Sequence, residues 1–384
     1  MKKKLLFING HLNTGGVEKS LLDILRHLDY DRYDVDLLLL EEMGDYAPQL
    51  PRQIRILPRF LTGTYGPLVR CLLHCLKRRA WFSLRMRLIL LASKLLGQRR
   101  LSAARKLLTG NAHYDCVIGF RSGICTQLAA FAVQADRRLI WWHHGELDVD
   151  RNAYLEAASV CDGVITVSHS CTDMLKNAFP ALSGRITCIP NMLDAEEVSS
   201  KSADVIPNPH SGIRIVSVGR LAPEKHFENI AYAAAALKAQ QIDFHWYLVG
   251  DGPSRNIIAT AVKNADVEDR VYFVGNQPNP YPYLAQADLF VHPSYVESQG
   301  LTVLEAMALG IPCVVTKSRG PCEFIIDEEN GLLTEQNPRS LADAVCRILA
   351  DRELYHRIRQ NTACPPTFSP EQVMNLLENA INKE

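Results

Sequence analysis

The sequence predicts an α/β protein built from two doubly wound, Rossmann-like domains facing a cleft. Three observations carry that expectation. A chain of 384 residues is longer than one hydrophobic core usually supports. Short apolar, β-branched runs alternate with helical stretches, as parallel sheets covered on both faces require. The alternation also breaks at a polar, proline-containing stretch, "SSKSADVIPNPHSG" (199–212), and starts afresh beyond it.

In the first half, strands are expected at "LLFIN", "DVDLLLL", "CVIGF", "LIWWHH", "GVITVS" and "ITCIP". The second series is "RIVSVG", "HWYLVG", "VYFVG", "LFVHP" and "PCVVT". With a linker near residues 195–212, the domains divide as 1–195 and 196–365, and 366–384 form a C-terminal helix expected to pack back on the first domain. In such sheets, ligands bind outside the carboxyl ends of the strands.

Hydrophobic residues make up 47% of the chain and charged residues 22%, ordinary values for a globular protein. The net charge of zero conceals an asymmetry. Between Tyr46 and Tyr114 there are fourteen Lys and Arg and no Asp or Glu, leaving 28 basic against 42 acidic residues elsewhere. The eleven cysteines include no C-x-x-C pair, and Cys71 and Cys75 sit one helical turn apart, which fits buried thiols of a reducing cytosol. The opening "MKKKLLFI" imitates a signal peptide, but its apolar run ends at Asn9 without a small-residue cleavage site, so it reads as a first strand. No uncharged apolar run approaches the roughly 18 residues of a membrane span. No nucleic-acid partner is expected.

The stretch "VHPSYVESQGLTVLEAMALGIPCVV" reads as strand, turn, helix, strand, with Glu297 before the helix and Glu305 inside it. Leu301, Leu304 and Ala308 recur at i, i+3, i+7, which puts Glu305 at the edge of a core-facing stripe. Ser298 is placed to cap the first turn, leaving the N–H groups around Gly300 and Leu301 as an anion site. Glu305 then lies on the order of 7 Å further along the axis. A phosphate at the tip and a ribose one turn along outline a nucleotide diphosphate, whose ribose hydroxyls suit a carboxylate acceptor.

The segment resembles the E-x7-E signature of the retaining, GT-B-fold glycosyltransferases of family 4. Its fixed positions are all present as Pro293, Ser294, Glu297, Ser298, Gly300, Leu301, Glu305, Ala306, Met307, Gly310 and Pro312. Gln299 departs from the usual aromatic, which bears on the shape of the donor-sugar pocket. "VGRLAPEKHFENI" matches the family's G-R-L-x-x-E-K element, which implies that Arg220 and Lys225 clamp the donor diphosphate, with Glu224 orienting them. Fixed cations there stabilise charge that grows as the glycosidic bond breaks. The glycine pair Gly15 and Gly16, at a helix start, falls where the family has its acceptor-side loop. The turns holding Gly250, Gly252 and Gly275 fall where the family lines its nucleotide. Ser168, Asn191, Asp194, Gly320, Glu323, Asn330 and Gly331 match further family positions.

"WWHHGELD" ends a strand with His143 and His144, which face opposite ways. The resemblance implies that one of them contacts the donor sugar, and His144 is favoured. Two Asp-x-Asp strings, Asp34–Asp36 and Asp148–Asp150, read as a strand opening and a helix start, so no metal is expected. The implied activity is metal- and cofactor-independent transfer of a sugar from a UDP- or GDP-sugar to an acceptor hydroxyl. The implied roles are Arg220, Lys225 and the amides near Gly300 on the diphosphate, Glu305 on the ribose, and Glu297 on the sugar.

Two alternatives remain at this level. Glu297 and Glu305 could serve a glycoside hydrolase as acid and base, which leaves the Arg–Lys turn unexplained. A nucleotide-sugar binding protein without turnover would share the fold. Residues 68–109 pair apolar and basic positions, with Leu68, Val69, Leu72, Leu73 and Leu76 on one helical face and Arg70, His74 and Lys77 off it. That composition fits either an anionic bilayer surface or two core helices with a solvated basic face. The bilayer reading implies a lipid-linked saccharide acceptor on the inner face of the cell membrane, as in bacterial envelope polysaccharide assembly.

Overall fold

A computed structural model describes residues 2–41, 43–57, 68–147, 149–204, 206 and 210–383. The chain forms two compact units, Met1–Met192 with Val373–Glu384, and Leu193–Gln372.

The first unit holds a seven-stranded sheet, β1 (Lys3–Asn9), β2 (Tyr33–Leu39), β3 (Arg55–Ile56), β4 (His113–Gly119), β5 (Gln134–Trp142), β6 (Gly163–Thr166) and β7 (Ile186–Cys188). The second holds six strands, β8 (Ile213–Val218), β9 (Phe244–Val249), β10 (Val271–Gly275), β11 (Leu289–His292), β12 (Cys313–Thr316) and β13 (Leu332–Thr334). The orders are 3-2-1-4-5-6-7 and 10-9-8-11-12-13, and the pairings are parallel throughout. Each order reverses once, between β1 and β4 and between β8 and β11. These reversals are the topological switch points where doubly wound sheets take ligands.

Both faces of each sheet are covered, which explains the continuous apolar runs. Leu6 and Ile8 enter one core of the first unit while Leu5 and Phe7 enter the other. In the second unit Ile215 and Leu248 face one core, and Val216 and Val249 the other. The boundary between the units falls at Met192/Leu193 and not at 195/196. It is set by packing, because Met192 joins a core of the first unit and Leu193 a core of the second. The last helix, Pro370–Asn382, places Val373, Met374, Leu377 and Ile381 in the core that contains Leu5 and Phe7.

Two strands, β3 and β13, lay outside the sequence expectation. The edge strand β3 is two exposed residues long, and Arg55 ties it to β2. Arg55 Nε and Nη2 donate to the buried Asp36 carboxylate at 2.8 and 2.5 Å, and the Tyr114 hydroxyl donates to it at 2.6 Å. Burial and the Asp36 charge together raise the Tyr114 pKa. Asp150 caps the helix Arg151–Ser159, accepting from Asn152 and Ala153 N–H. Asp148 lies outside the described residues. Strand β5 stops at Trp142, so "HH" lies beyond it.

Of the apolar face read in the sequence, the helix Leu68–Lys77 leaves Leu73 and Leu76 exposed, and the helix Trp81–Leu96 follows it. Cys71 and Cys75 turn inward, whereas Leu73 is 60% exposed and shares the outer surface with Leu76, Trp81, Leu88, Leu95 and Leu96. The side chains of Leu68 and Val69 lie outside the described ones. Arg70, Lys77, Arg78, Arg79, Arg85 and Lys94 are exposed beside these apolar groups. Met86 and Ser93 face the interior. The helices are therefore core on one side and mixed apolar and basic on the other.

Candidate active site

In the second unit the loops that follow β8 and β11, the two strands flanking the switch point, are stitched together. Tyr295 N–H donates to the Glu224 carbonyl at 3.2 Å, and Ser294 Oγ donates to the same oxygen at 3.3 Å. The His226 ring stacks on Tyr295 with centroids 3.8 Å apart, and Tyr295 Oη accepts from Asn229 Nδ2 at 3.0 Å. His226 has φ 47°, a left-handed conformation unusual outside glycine, so the loop turns sharply just after Lys225.

This stitching brings Lys225 Nζ onto Glu297 Oε1, with Lys225 20% and Glu297 11% exposed. The same oxygen takes a second contact, His292 Nε2 at 2.7 Å. Burial pushes the Glu297 pKa up, but the Lys225 charge and the His292 hydrogen bond outweigh it and hold the group down at about 2. Glu297 is therefore ionised at neutral pH. Arg220, by contrast, is 69% exposed and pairs with Glu224 Oε1 at 3.0 Å. The turn thus offers one guarded cation and one open to solvent.

The helix Leu301–Ala308 buries five successive residues, Val303 to Met307, so it has no single apolar stripe and Glu305 is buried with them. Tyr281 Oη donates to Glu305 Oε1 at 3.2 Å. The cap of this helix is Gly300, without a side-chain hydrogen bond, and not Ser298. Gly300 has φ 87°, and a Cβ there would come within 2.8 Å of Pro321. Gly250 and Gly252 have a packing reason of their own, since a Cβ would lie 2.0 Å from the Gly219 carbonyl oxygen or 2.3 Å from that of Leu221. Gly275 has φ 80° at the end of β10, where its carbonyl accepts from Gly250 N–H at 2.9 Å.

In the first unit, Gly15 caps the helix Gly16–His27. Glu18, buried in its first turn, receives Arg121 Nη1 at 3.1 Å and lies 3.7 Å from His11 Nδ1. Arg121 follows β4 and His11 follows β1, so this cluster also sits at a switch point. His143 packs in parallel on Trp141, ring centroids 5.7 Å apart, and against Phe120. Burial, then the neighbouring His144 and Arg121, lowers its pKa to about 3, so it stays neutral. His144 is half-buried, with Nε2 2.7 Å from Ser122 Oγ. Ser168 caps the helix His169–Ala178, and Asn191 Oδ1 accepts from Ser20 Oγ at 2.7 Å.

Sequence reading singled out Lys225 and Glu297 but not their contact, and it missed His292, Tyr295, His11, Glu18, Arg121 and Ser122. A histidine inside an apolar run, as in "LFVHP", is the signal that could have found His292.

Residues 14–197 match the family described as Glycosyltransferase Family 4, and residues 199–363 match Glycosyl transferases group 1. N-acetyl-alpha-D-glucosaminyl L-malate synthase of Bacillus anthracis is 34% identical over 43% of this chain and 44% of that protein. The lipopolysaccharide core biosynthesis glycosyltransferase LpsE of Rhizobium meliloti (strain 1021) is 32% identical over 46% of this chain and 51% of that protein. The chain spans about half the length of these curated relatives. HepE of Anabaena, solved in complex with UDP, superposes with a TM-score of 0.69 at 18% identity over 99% of this chain and 100% of that one, a likeness of fold. Two sheets of Rossmann order, two family matches that follow one another along the sequence, and this whole-chain superposition place the protein among the GT-B glycosyltransferases, Family 4 in its first half and group 1 in its second.

Proposed function

We propose that the protein transfers a sugar from a nucleotide diphosphate sugar, a UDP- or GDP-sugar, to an acceptor hydroxyl with retention of configuration. The observation that carries this reading is the Lys225–Glu297 pair, assembled by the two loops at the switch point of the second sheet. In this role Arg220 and Lys225 hold the diphosphate, where their charge stabilises the leaving group, and Glu305 takes the ribose. Glu297 takes hydroxyls of the donor sugar, and His144 is the first unit's candidate for a sugar contact. HepE, which shares the fold, has been solved with UDP and with UDP-glucose, which supports a uridine nucleotide as the first donor to try.

A metal is not needed in this reading. Asp36 is engaged by Arg55 and Tyr114, and Asp150 by a helix start. The hydrolase reading leaves the Arg–Lys turn unexplained, and in it Glu297, held ionised down to about pH 2, would serve only as the base or nucleophile.

The acceptor is a saccharide, lipid-linked at the inner face of the cell membrane, in bacterial surface polysaccharide or glycolipid synthesis. The name of the LpsE relative supports the pathway class. The exposed Leu73, Leu76 and Trp81 beside Lys77, Arg78 and Arg79 support a peripheral membrane contact. Among the described residues no helix is long and apolar enough to cross a membrane.

A thermal-shift panel of UDP- and GDP-sugars, followed by transfer assays with and without EDTA, tests the reading. The true donor stabilises by mass action. The reading fails if no donor shifts the melting temperature, and its metal independence fails if EDTA abolishes transfer. Sedimentation with anionic vesicles, lost when Lys77, Arg78 and Arg79 become Gln, tests the membrane contact.

A further inference from the structure

We propose that His292 is a positioning residue for sugar transfer. From the end of β11 it fixes the Glu297 carboxylate, and through it the Lys225 ammonium, so that one carboxylate oxygen is committed to the protein and the other to a hydroxyl of the sugar being moved. The inference rests on the glycosyltransferase reading and deepens it.

The two oxygens of Glu297 are not equivalent. Oε1 receives both His292 Nε2 and Lys225 Nζ, and among the described residues Oε2 receives neither these nor any other donor. An ionised carboxylate is an acceptor only, with lone pairs on both oxygens. Its loaded side therefore sets the direction of its open side, which suits a neutral hydroxyl donor better than a phosphate.

His292 is built to set that direction. It is 2% exposed, lies on the last residue of a strand whose other members are buried, and its ring lies nearly parallel to Phe290 with centroids 6.1 Å apart. A ring packed in this way cannot follow a wandering carboxylate, so the carboxylate must come to the ring. Lys225 ends a single 3-10 turn and Glu297 lies in a loop, both with rotatable side chains, whereas His292 belongs to the sheet. Groups held by rigid elements orient a site more accurately than groups held by loops.

The imidazole is also costly where it stands. His292 Nδ1 is buried without a hydrogen-bond partner among the described residues, a penalty that an aliphatic residue would avoid. The Nε2–H tautomer, assigned from the bond to Glu297, leaves Nδ1 a bare lone pair. The bond to Glu297 is the return on that cost.

The test compares the wild type with His292→Leu, His292→Gln and His292→Asn. A glutamine amide reaches the position of Nε2, and an asparagine amide reaches only that of Nδ1. UDP affinity is measured by calorimetry, and kcat and KM with whichever UDP-sugar the panel selects. Leu and Asn variants are expected to bind UDP within about threefold of wild type but to lose on the order of 10- to 100-fold in kcat, and Gln to recover to within about fivefold. A purely structural histidine would not distinguish Gln from Asn. Leu and Asn variants with wild-type kcat overturn the proposal, as does a Gln variant no better than Asn. If the Leu variant fails to fold, the Gln and Asn pair decides. A wild-type protein that neither binds UDP or GDP nor turns over any nucleotide sugar sinks the glycosyltransferase reading itself, and the positioning role with it.

Discussion

Both units place charged residues at the switch point of a parallel sheet, yet they treat them differently. In the second unit the loops after β8 and β11 are laced through Glu224, Ser294 and Tyr295, and the charges they carry, Lys225 and Glu297, are largely shielded. In the first, the loops after β1 and β4 meet through Arg121, Glu18 and His11, with Arg121 38% exposed. Shielded charge interacts strongly and is costly to disturb, whereas exposed charge is screened by water and salt. The Lys225–Glu297 pair is therefore the more strongly coupled of the two clusters, and the Arg121 side of the first is the more open to screening.

Lys225→Ala should produce the largest effect, a loss in kcat of about a hundredfold, or roughly 3 kcal/mol. Arg220→Ala should cost a similar factor with an unchanged melting temperature, because its side chain is mostly in water. Equal rates for mutant and wild type in steady-state transfer would remove both from the diphosphate site.

Acid sharpens the same contrast. The Glu297 pKa is depressed from 4.5 to about 2 in the folded protein, so the stability it contributes is present above pH 4.5 and is lost as pH falls towards 2. The loss should amount to about 3 kcal/mol at most. Glu297→Gln, which cannot titrate, should show a correspondingly flatter decline between those values in urea unfolding followed by tryptophan fluorescence. Parallel curves for the two proteins would contradict the shielded pair.

Glu305→Gln is expected to raise the donor KM by about tenfold, since an amide replaces a carboxylate facing two hydroxyls. An unchanged KM would detach Glu305 from the ribose. The smallest effect belongs to the first unit. Glu18→Gln should destabilise by about 1 kcal/mol and less in high salt, because its partner Arg121 is partly exposed. A loss as large and as salt-insensitive as that from breaking the Lys225–Glu297 pair would erase the distinction between the units.

Much of this architecture was legible in the sequence because the strands are buried on both faces. Leu5, Leu6, Phe7 and Ile8 are all fully buried, and a strand of that kind must be apolar at every position. Strand β3 was invisible for the opposite reason. Its residues are exposed, and the strand is held by the Asp36–Arg55 pair, a contact 19 residues apart that no local pattern announces. Of the site, Lys225 and Glu297 were legible because each belongs to a short motif of fixed spacing. Their contact was not, because 72 residues separate them and only the pairing of β8 with β11 brings them together. His292 was hidden among its apolar neighbours. Ser298 was given a cap that belongs to Gly300, because a left-handed glycine can end the approach to a helix without any side-chain acceptor.

The final helix bears on the order in which the protein can be finished. Val373, Met374, Leu377 and Ile381 cover the sheet face formed by Leu5, Phe7, Leu37 and Ile118. Domains generally fold as they leave the ribosome, amino-terminal first. Here the whole of Leu193–Gln372 lies in sequence between that face and the last helix that covers it. Until that helix is made, the face has Leu21, Ile24 and Leu25 of the helix Gly16–His27 over it, so the first unit is completed only after the second.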